Sequence, residues 1–319
     1  MGGFFITNIF SGGDYMAFRT VFIKNGERLS LRLDNLVVTK NQEELYIPLI
    51  DIENIILEGE QTTITSRVLA KLSYYNIDVI ICDSHYLPCG VYLPLGQYHH
   101  AAKRNIWQAG WSDDLKDTAW MNVVSQKIFN QILVSEDLSE DRDRIDKMIG
   151  LADNITPGDK TNREGHVAKL YFNSLYGLGF TREDDSFPNA CMNYGYSILR
   201  SQVARYVSGQ GLIPSLGIFH KNEYNAFNLV DDLMEPFRPL LDWYIHRKIL
   251  MEKPQYLTYE HRIMLIDFLN QQIKVKGKRL YLNQAIGLYV NSFIQAMENN
   301  DFHQLITIQA DGFMESDEE

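Results

Sequence analysis

After Pro94-Leu95-Gly96 the hydrophobic period of this chain changes, and that change constrains the fold more than any other feature. Before it, short apolar runs sit between turn residues. Val21-Phe22-Ile23 leads into Lys24-Asn25-Gly26-Glu27, and Asn-Gly favours a tight hairpin. Leu29, Leu31 and Leu33 alternate with polar residues, and Leu36-Val37-Val38, Leu45-Tyr46-Ile47 and Ile52 to Leu57 continue the strand-like pattern. A short helix is predicted from about Thr65 to Tyr75, with Val68, Leu69 and Leu72 on its apolar face and Thr65 or Ser66 as its cap. Val79-Ile80-Ile81 and Val91-Tyr92-Leu93 close the region as strands. Many short strands between turn signals predict a small β-sandwich.

Beyond Gly96, Ile106, Trp107 and Trp111, then Trp120, Val123, Val124, Ile128 and Ile132, recur at helical spacing. Helices are predicted over residues 162–177, 189–211, 231–251, 259–271 and 285–299. Ile273 to Tyr281 alternates around Lys276-Gly277-Lys278 and predicts a hairpin. The fold class is therefore α+β: a small N-terminal β-sandwich domain over 16–96, a linker over 97–108, a larger, mostly α-helical domain over 109–303, and a loose acidic tail over 304–319. Two domains suit a chain of 319 residues. Residues 1–15 read as an upstream start or a loosely held arm whose deletion leaves activity intact.

Lys and Arg number 30 against 41 Asp and Glu, a net charge of −11. That balance excludes a protein that coats nucleic acid through bulk charge and leaves room for a local basic groove. Three cysteines without CxxC spacing form neither a disulfide framework nor a zinc site, and buried free thiols in a reducing, cytoplasmic setting are expected. No apolar run reaches the length of a membrane span. The first residues lack a basic signal-peptide start, and Ile6 breaks the myristoylation pattern.

Phosphate loops, GxSxG elbows and HExxH motifs are absent from the sequence. Asp232-Leu-Met-Glu235 places two carboxylates on one helix face, and Pro236 predicts a kink there that would aim them. Spacing alone favours an exposed acidic helix start. His220 stands twelve residues before Asp232. An imidazole with carboxylates suits Mg²⁺ or Mn²⁺, although a lone His in apolar surroundings is more often structural. Glu164 opens a helix in Asn162-Arg-Glu-Gly-His166, where a first-turn Glu is common for dipole reasons. Arg200, Arg205, Arg238 and later basic clusters are solvated patches or a phosphate-tracking groove. Tyr194 and Tyr196 are core residues or contacts to a nucleic-acid backbone.

Four ordered stretches together resemble one family. They are Thr161-Asn-Arg-Glu-Gly-His-Val-Ala-Lys-Leu-Tyr-Phe172, Asn193-Tyr-Gly-Tyr-Ser-Ile-Leu199, Gly211-Leu-Ile-Pro-Ser-Leu-Gly-Ile-Phe-His220 and Asn225-Ala-Phe-Asn-Leu-Val-Asp-Asp-Leu-Met-Glu-Pro-Phe-Arg-Pro239. The family is CRISPR-associated protein one, the integrase of spacer acquisition, with a flavour similar to type II systems. The resemblance implies a β-sandwich domain followed by a helical catalytic domain. It implies a homodimer assembled with CRISPR-associated protein two on double-stranded DNA (the captured fragment and the CRISPR repeat), with accessory type II adaptation proteins as further partners. It also implies a Mg²⁺ or Mn²⁺ site held by Glu164, His220 and Glu235, with Asp232 at a further acidic position. Lys221 and Arg238 are expected near phosphates, with Arg200, Arg205 and Tyr194 as additional DNA contacts. The implied reaction is transesterification by a DNA 3′-OH, and water in its place would give endonuclease activity. The alternatives are a metal-dependent nuclease of branched DNA that does not join strands, and a DNA-binding scaffold without catalysis.

Overall fold

The computed structural model describes residues 19–23, 28–58, 61–94, 100–153, 155–252 and 255–318. The chain divides into two compact units. One holds the described residues up to Ala101 together with Ser208–Gly211, and the other holds 102–207 and 212–318. Residues 1–15 and the Asn25-Gly26 turn lie outside the described residues.

The first unit carries β1 (Arg19–Ile23), β2 (Arg28–Arg32), β3 (Asn35–Lys40), β4 (Glu43–Pro48), β5 (Ile52–Leu57), β6 (Thr63–Ile64), α1 (Ser66–Tyr74), β7 (Asp78–Cys82) and β8 (Pro88–Tyr92). They form two four-stranded sheets, ordered β1-β5-β7-β8 and β4-β3-β2-β6. One apolar cluster draws Val21, Ile23, Ile55 and Val79 from the first sheet, Leu29, Leu36, Val38 and Ile47 from the second, and Val68 and Leu72 from α1. The Thr65 hydroxyl accepts from the Val68 N–H and caps α1 as expected, a contact worth about 1 kcal/mol.

The expected hairpin between the first two strands does not form. β1 pairs in parallel with β5, while β2 lies in the other sheet. The reason is visible in β1 itself: Thr20, Val21, Phe22 and Ile23 are all buried, so this strand is covered on both faces. Hairpins form between β2 and β3 and between β3 and β4 through the two-residue loops Leu33-Asp34 and Asn41-Gln42, and between β7 and β8 through residues 83–87. Leu33, read as the end of an alternating strand, therefore sits at a loop tip with positive φ and is 89% exposed. Cys82 and Cys191 are buried thiols, but Cys89 on β8 is exposed.

The second unit is helical: α2 (Ala101–Ala109, which enters it at Ala102), α3 (Asp113–Leu138), α4 (Arg142–Ala152), α5 (Arg163–Tyr176), α6 (Phe187–Gly209, which leaves it after Val207), α7 (Asn228–Met234), α8 (Arg238–Lys248), α9 (Tyr259–Asp267), α10 (Leu282–Asn299) and α11 (Ala310–Glu318). The expected hairpin is β9 (Gln272–Val275) with β10 (Lys278–Tyr281). Among the described residues no helix is long and apolar enough to cross a membrane.

Two stretches differ from the sequence reading. Helix α2 occupies most of the predicted linker, because Gln108 is buried and bonds the Ile213 N–H and the Ile213 and Leu216 carbonyls. The acidic tail is not loose. Ile308, Ala310 and Phe313 are buried, and α11 packs on β9. The side chains of Gln126 and Asn130 on α3 bind the backbone of residues 306–310, so the chain is held by polar contacts as well as by apolar ones.

Candidate active site

Helix α3 is the floor of the site. The Ser112 hydroxyl caps its first turn, and it packs against α4, α5, α7, α8 and α11. Trp120 and Lys127 are seven residues apart, which places them on one face two turns apart. The Trp120 ring is stacked on Phe219 at 4.1 Å and meets His220 edge-on at 5.8 Å.

His220 lies in the loop before α7 and is held by Asp232. The Asp232 carboxylate is fully buried and accepts the N–H groups of Ile218 at 2.7 Å, Phe219 at 3.1 Å and His220 at 3.1 Å. His220 Nδ1 lies 2.6 Å from the same carboxylate. That hydrogen bond raises the His220 pKa against the opposing effect of burial, and the charge of Glu235 raises it further. With Nδ1 committed, Nε2 is the ring nitrogen left for a ligand. The loop is closed by Asn228, whose amide donates to the Ser215 and Asn222 carbonyls. Gly217 is required by close approach: a Cβ there would stand 2.8 Å from Asp232 Oδ2 and would meet the His220 carbonyl oxygen.

Glu164 sits in the first turn of α5, as expected, but Asn162 does not cap it. Asn162 is left-handed, and Asp159 takes over, accepting from the Arg163 and Glu164 N–H groups at 2.8 and 2.9 Å. The bend at Pro236 appears as a 3-10 turn over Glu235–Phe237 between α7 and α8. Glu235 is 3% exposed. Nζ of Lys127 lies 2.5 Å from Glu164 Oε1 and 2.5 Å from Glu235 Oε2. Arg238 Nε approaches Glu235 Oε1 at 3.2 Å, and its guanidinium covers the Tyr196 ring at 4.8 Å. Burial alone would push Glu235 up, but Arg238 and Lys127 outweigh it and hold the carboxyl below its usual range. Burial likewise opposes the charge on Lys127, and Glu235 with Glu164 reverses it, so the net shift is upward.

The structure thus brings Glu164 and Glu235 onto one cation and places His220 within reach of Glu235's field. The Asp232 oxygens are taken up by three backbone donors and the His220 ring, so this carboxylate orients the imidazole. Tyr194 is fully buried and Arg205 is 9% exposed, so this chain presents neither to a DNA backbone. Helix α6 is covered on nearly every side, which the sequence of that helix does not reveal. Arg200 is tied to Asp231 at 2.7 Å. Lys221 is exposed and lines a cavity of about 420 Å³ together with His220, Lys116, Trp111 and Asn225. Lys127 and Asp159 were not singled out from the sequence. Lys127 did carry a signal, because it occupies the apolar stripe of α3, and a charge on a core-facing stripe needs a partner.

Among the described residues no three His, Cys, Asp or Glu side chains gather around one point. The donor chemistry nevertheless fits a hard divalent ion. Two carboxylates converge on a single cationic atom, and the His220 imidazole, which feels the charge of Glu235, is fixed through its Nδ1 by a carboxylate, the usual support for a metal-binding ring.

Solved structures share the architecture. The chain superposes on a casposase bound to integration product with TM-score 0.71 at 17% identity, covering 88% of this chain and 91% of that one. It superposes on a CAS1 protein from Thermotoga maritima with TM-score 0.69 at 16% identity, covering 88% and 97%. A chain of a Cas6-RT-Cas1–Cas2 complex gives 0.72 at 19% identity, covering 93% of this chain and 37% of that longer one. At these identities the likeness is one of fold. A strand-rich unit and a helical unit bearing a His–Asp pair, a half-buried Glu164 and a buried Glu235 thus belong to the fold class of casposases and CAS1 proteins. A family model, CRISPR associated protein Cas1, matches residues 21–260, and the chain belongs to that family. It is 38% identical over 291 residues to the CRISPR-associated endonuclease Cas1 of Neisseria meningitidis serogroup C, covering 91% of this chain and 95% of the relative. It is 25% identical over 289 residues to a CRISPR-associated endonuclease Cas1 of Francisella tularensis subsp. novicida, covering 82% and 90%.

Proposed function

We propose that this chain is the integrase of CRISPR adaptation, joining the 3′-OH ends of a captured double-stranded DNA fragment to the repeat of a CRISPR array with a divalent metal at Glu164, His220 and Glu235. One observation carries the reading: the two glutamates meet on one cation, and the imidazole that Asp232 orients feels the charge of Glu235. Family membership and the endonuclease names of the relatives support it, as does the likeness in fold to a casposase bound to integration product.

The reaction forms one phosphodiester bond and breaks another. The 3′-oxygen of the fragment attacks phosphorus at the repeat boundary, and the 3′-oxygen of the target strand leaves and takes up a proton. No ester energy is lost, which suits a chain without a phosphate-binding loop. When water replaces the 3′-OH, the same site cuts DNA. A bound Mg²⁺ or Mn²⁺ supplies activation of the attacking oxygen and offsets charge on the phosphate. The protein's own share is positioning. Asp232 keeps His220 Nδ1 occupied and Nε2 available, Asp159 fixes the turn that carries Glu164, and the bend at Pro236 aims Glu235. Lys221 meets a phosphate at the rim. The working assembly is a homodimer joined by CRISPR-associated protein two, a partnership that the complex containing Cas1 and Cas2 supports.

The test is strand joining between a short duplex with 3′-OH ends and a plasmid carrying a leader and repeat, with and without the cognate partner, in Mn²⁺ or Mg²⁺. Metal-dependent joined product that disappears in Glu164→Ala and His220→Ala is expected. Cutting without joining would favour a nuclease, and tight DNA binding with neither reaction would favour a scaffold.

A further inference from the structure

Lys127 stands where the proposed site needs a cation. Its Nζ lies 2.5 Å from Glu164 Oε1 and 2.5 Å from Glu235 Oε2, with its side chain 9% exposed. Arg238 adds a second positive charge at 3.2 Å from Glu235. Two carboxylates and two cations therefore balance before any metal arrives. Two converging carboxylates, Glu235 at 4% and Glu164 at 24% side-chain exposure, repel one another unless compensated, and an ammonium between them removes that cost. The same oxygens cannot serve Lys127 and a divalent ion at full strength, because both need the same lone pairs. Adding two positive charges to a balanced cluster also leaves an excess that only an incoming anion or a departing cation can relieve. Lysine suits departure, being a compact charge on a flexible four-carbon stem. Arg238, packed on Tyr196, does not share that freedom.

We propose that Lys127 is an internal competitor for the metal: it holds Glu164 and Glu235 together in the metal-free protein, yields them to the divalent ion, and thereby couples metal binding to the arrival of a DNA phosphate, whose negative charge restores the balance. Lys127 is a positioning residue in this account, and the inference rests on the metal-site reading above.

The experiment is Mn²⁺ titration of the full-length protein, read by the electron paramagnetic resonance signal of the free ion. Lys127→Met is expected to bind Mn²⁺ about tenfold or more tightly than wild type, the scale on which residues next to metal ligands act. Lys127→Arg keeps the charge and is expected to keep the weak affinity. A duplex with 3′-dideoxy ends, which cannot react, is expected to raise wild-type affinity several-fold and that of Lys127→Met much less. Ions held by the DNA itself are subtracted with Glu164→Ala under the same conditions. A folded Lys127→Met with equal or weaker Mn²⁺ affinity overturns the proposal. Should that variant fail to fold, the wild-type DNA arm decides alone, and no rise in affinity overturns it. If Glu164→Ala and His220→Ala bind Mn²⁺ as wild type does, the metal-site reading itself has failed.

Discussion

The Asp232 carboxylate reaches His220 twice, at the ring Nδ1 at 2.6 Å and at the backbone N–H at 3.1 Å. One buried side chain thus fixes both the ring and the loop that carries it. Replacing Asp232 by Asn removes the charge that Ile218, Phe219 and the His220 ring all share. Hydrogen bonds to charged groups are worth about 2 kcal/mol each, so a loss of at least that much in unfolding free energy is expected. The His220 pKa should fall in the metal-free protein, since its first cause is this hydrogen bond. NMR titration of the ring and chemical denaturation measure the two effects. Strand joining should drop further than stability explains.

Asp242 offers a pH test away from the proposed metal ligands. It is buried, accepts hydrogen bonds from Tyr196 at 2.5 Å and Tyr171 at 3.1 Å, and burial pushes it up to about 6 against those bonds. A carboxyl raised in the folded state favours folding while protonated. Its contribution is full below its unfolded value and is lost as pH rises through about 6. Between pH 5 and 7 wild type should lose about 1 kcal/mol relative to Asp242→Asn. Urea unfolding of both proteins at the two pH values checks this, and parallel curves would refute it.

Gly217 allows the close packing beneath His220. A methyl group there would press on Asp232 Oδ2 and the His220 carbonyl. Gly217→Ala is expected to cost about 1–3 kcal/mol, the usual range for overpacking. The displaced groups are those that aim the imidazole, so joining activity should fall by more than tenfold in protein that remains folded. Circular dichroism beside the joining assay separates the two.

The parts legible in the sequence were those written by local chemistry. The Thr65 cap, the β9–β10 hairpin and the bend at Pro236 each depend on a few neighbouring residues. Glu164, His220 and Glu235 were singled out through the order of four motifs, and His220 and Asp232 do lie together. Pairing across the chain was not legible: β1 joins β5 because it is buried on both faces, and that overrides an Asn-Gly turn. Nor did spacing show that Asp232 faces a ring of backbone donors while Glu235, three residues on, faces Lys127. Lys127 could have been found by asking why an apolar stripe carries an ammonium.

Asn130 explains how the C-terminal segment supports the bend that carries Glu235. Its side-chain amide donates to the carbonyls of Pro236 at 2.8 Å and Ile308 at 3.0 Å, while its oxygen accepts from Ala310 N–H at 2.9 Å. Asn130→Leu keeps the volume and leaves three buried backbone groups without these partners. A loss of about 3 kcal/mol or more is expected, with both thermal melting and protease resistance of residues 304–319 falling together. A tail cleaved early in wild type would contradict this account.

Lys221 and Arg238 were expected to act alike on DNA, and the structure separates them. Lys221 is exposed beside His220, whereas Arg238 is half-buried between Glu235 and Tyr196. Neutralising one phosphate contact lowers the slope of log affinity against log salt by about 0.9 on duplex DNA. Lys221→Ala should show that change with little loss of stability, because its side chain leaves no buried charge behind. Arg238→Ala removes one of the two cations beside a 3%-exposed carboxylate and should cost about 3–5 kcal/mol of stability. Its salt slope should stay close to wild type in whatever fraction remains folded. Fluorescence anisotropy across a salt series, run with melting curves of both variants, distinguishes the two roles. A flattened slope in Arg238→Ala with an unchanged melting temperature would place its guanidinium on the DNA instead of on Glu235.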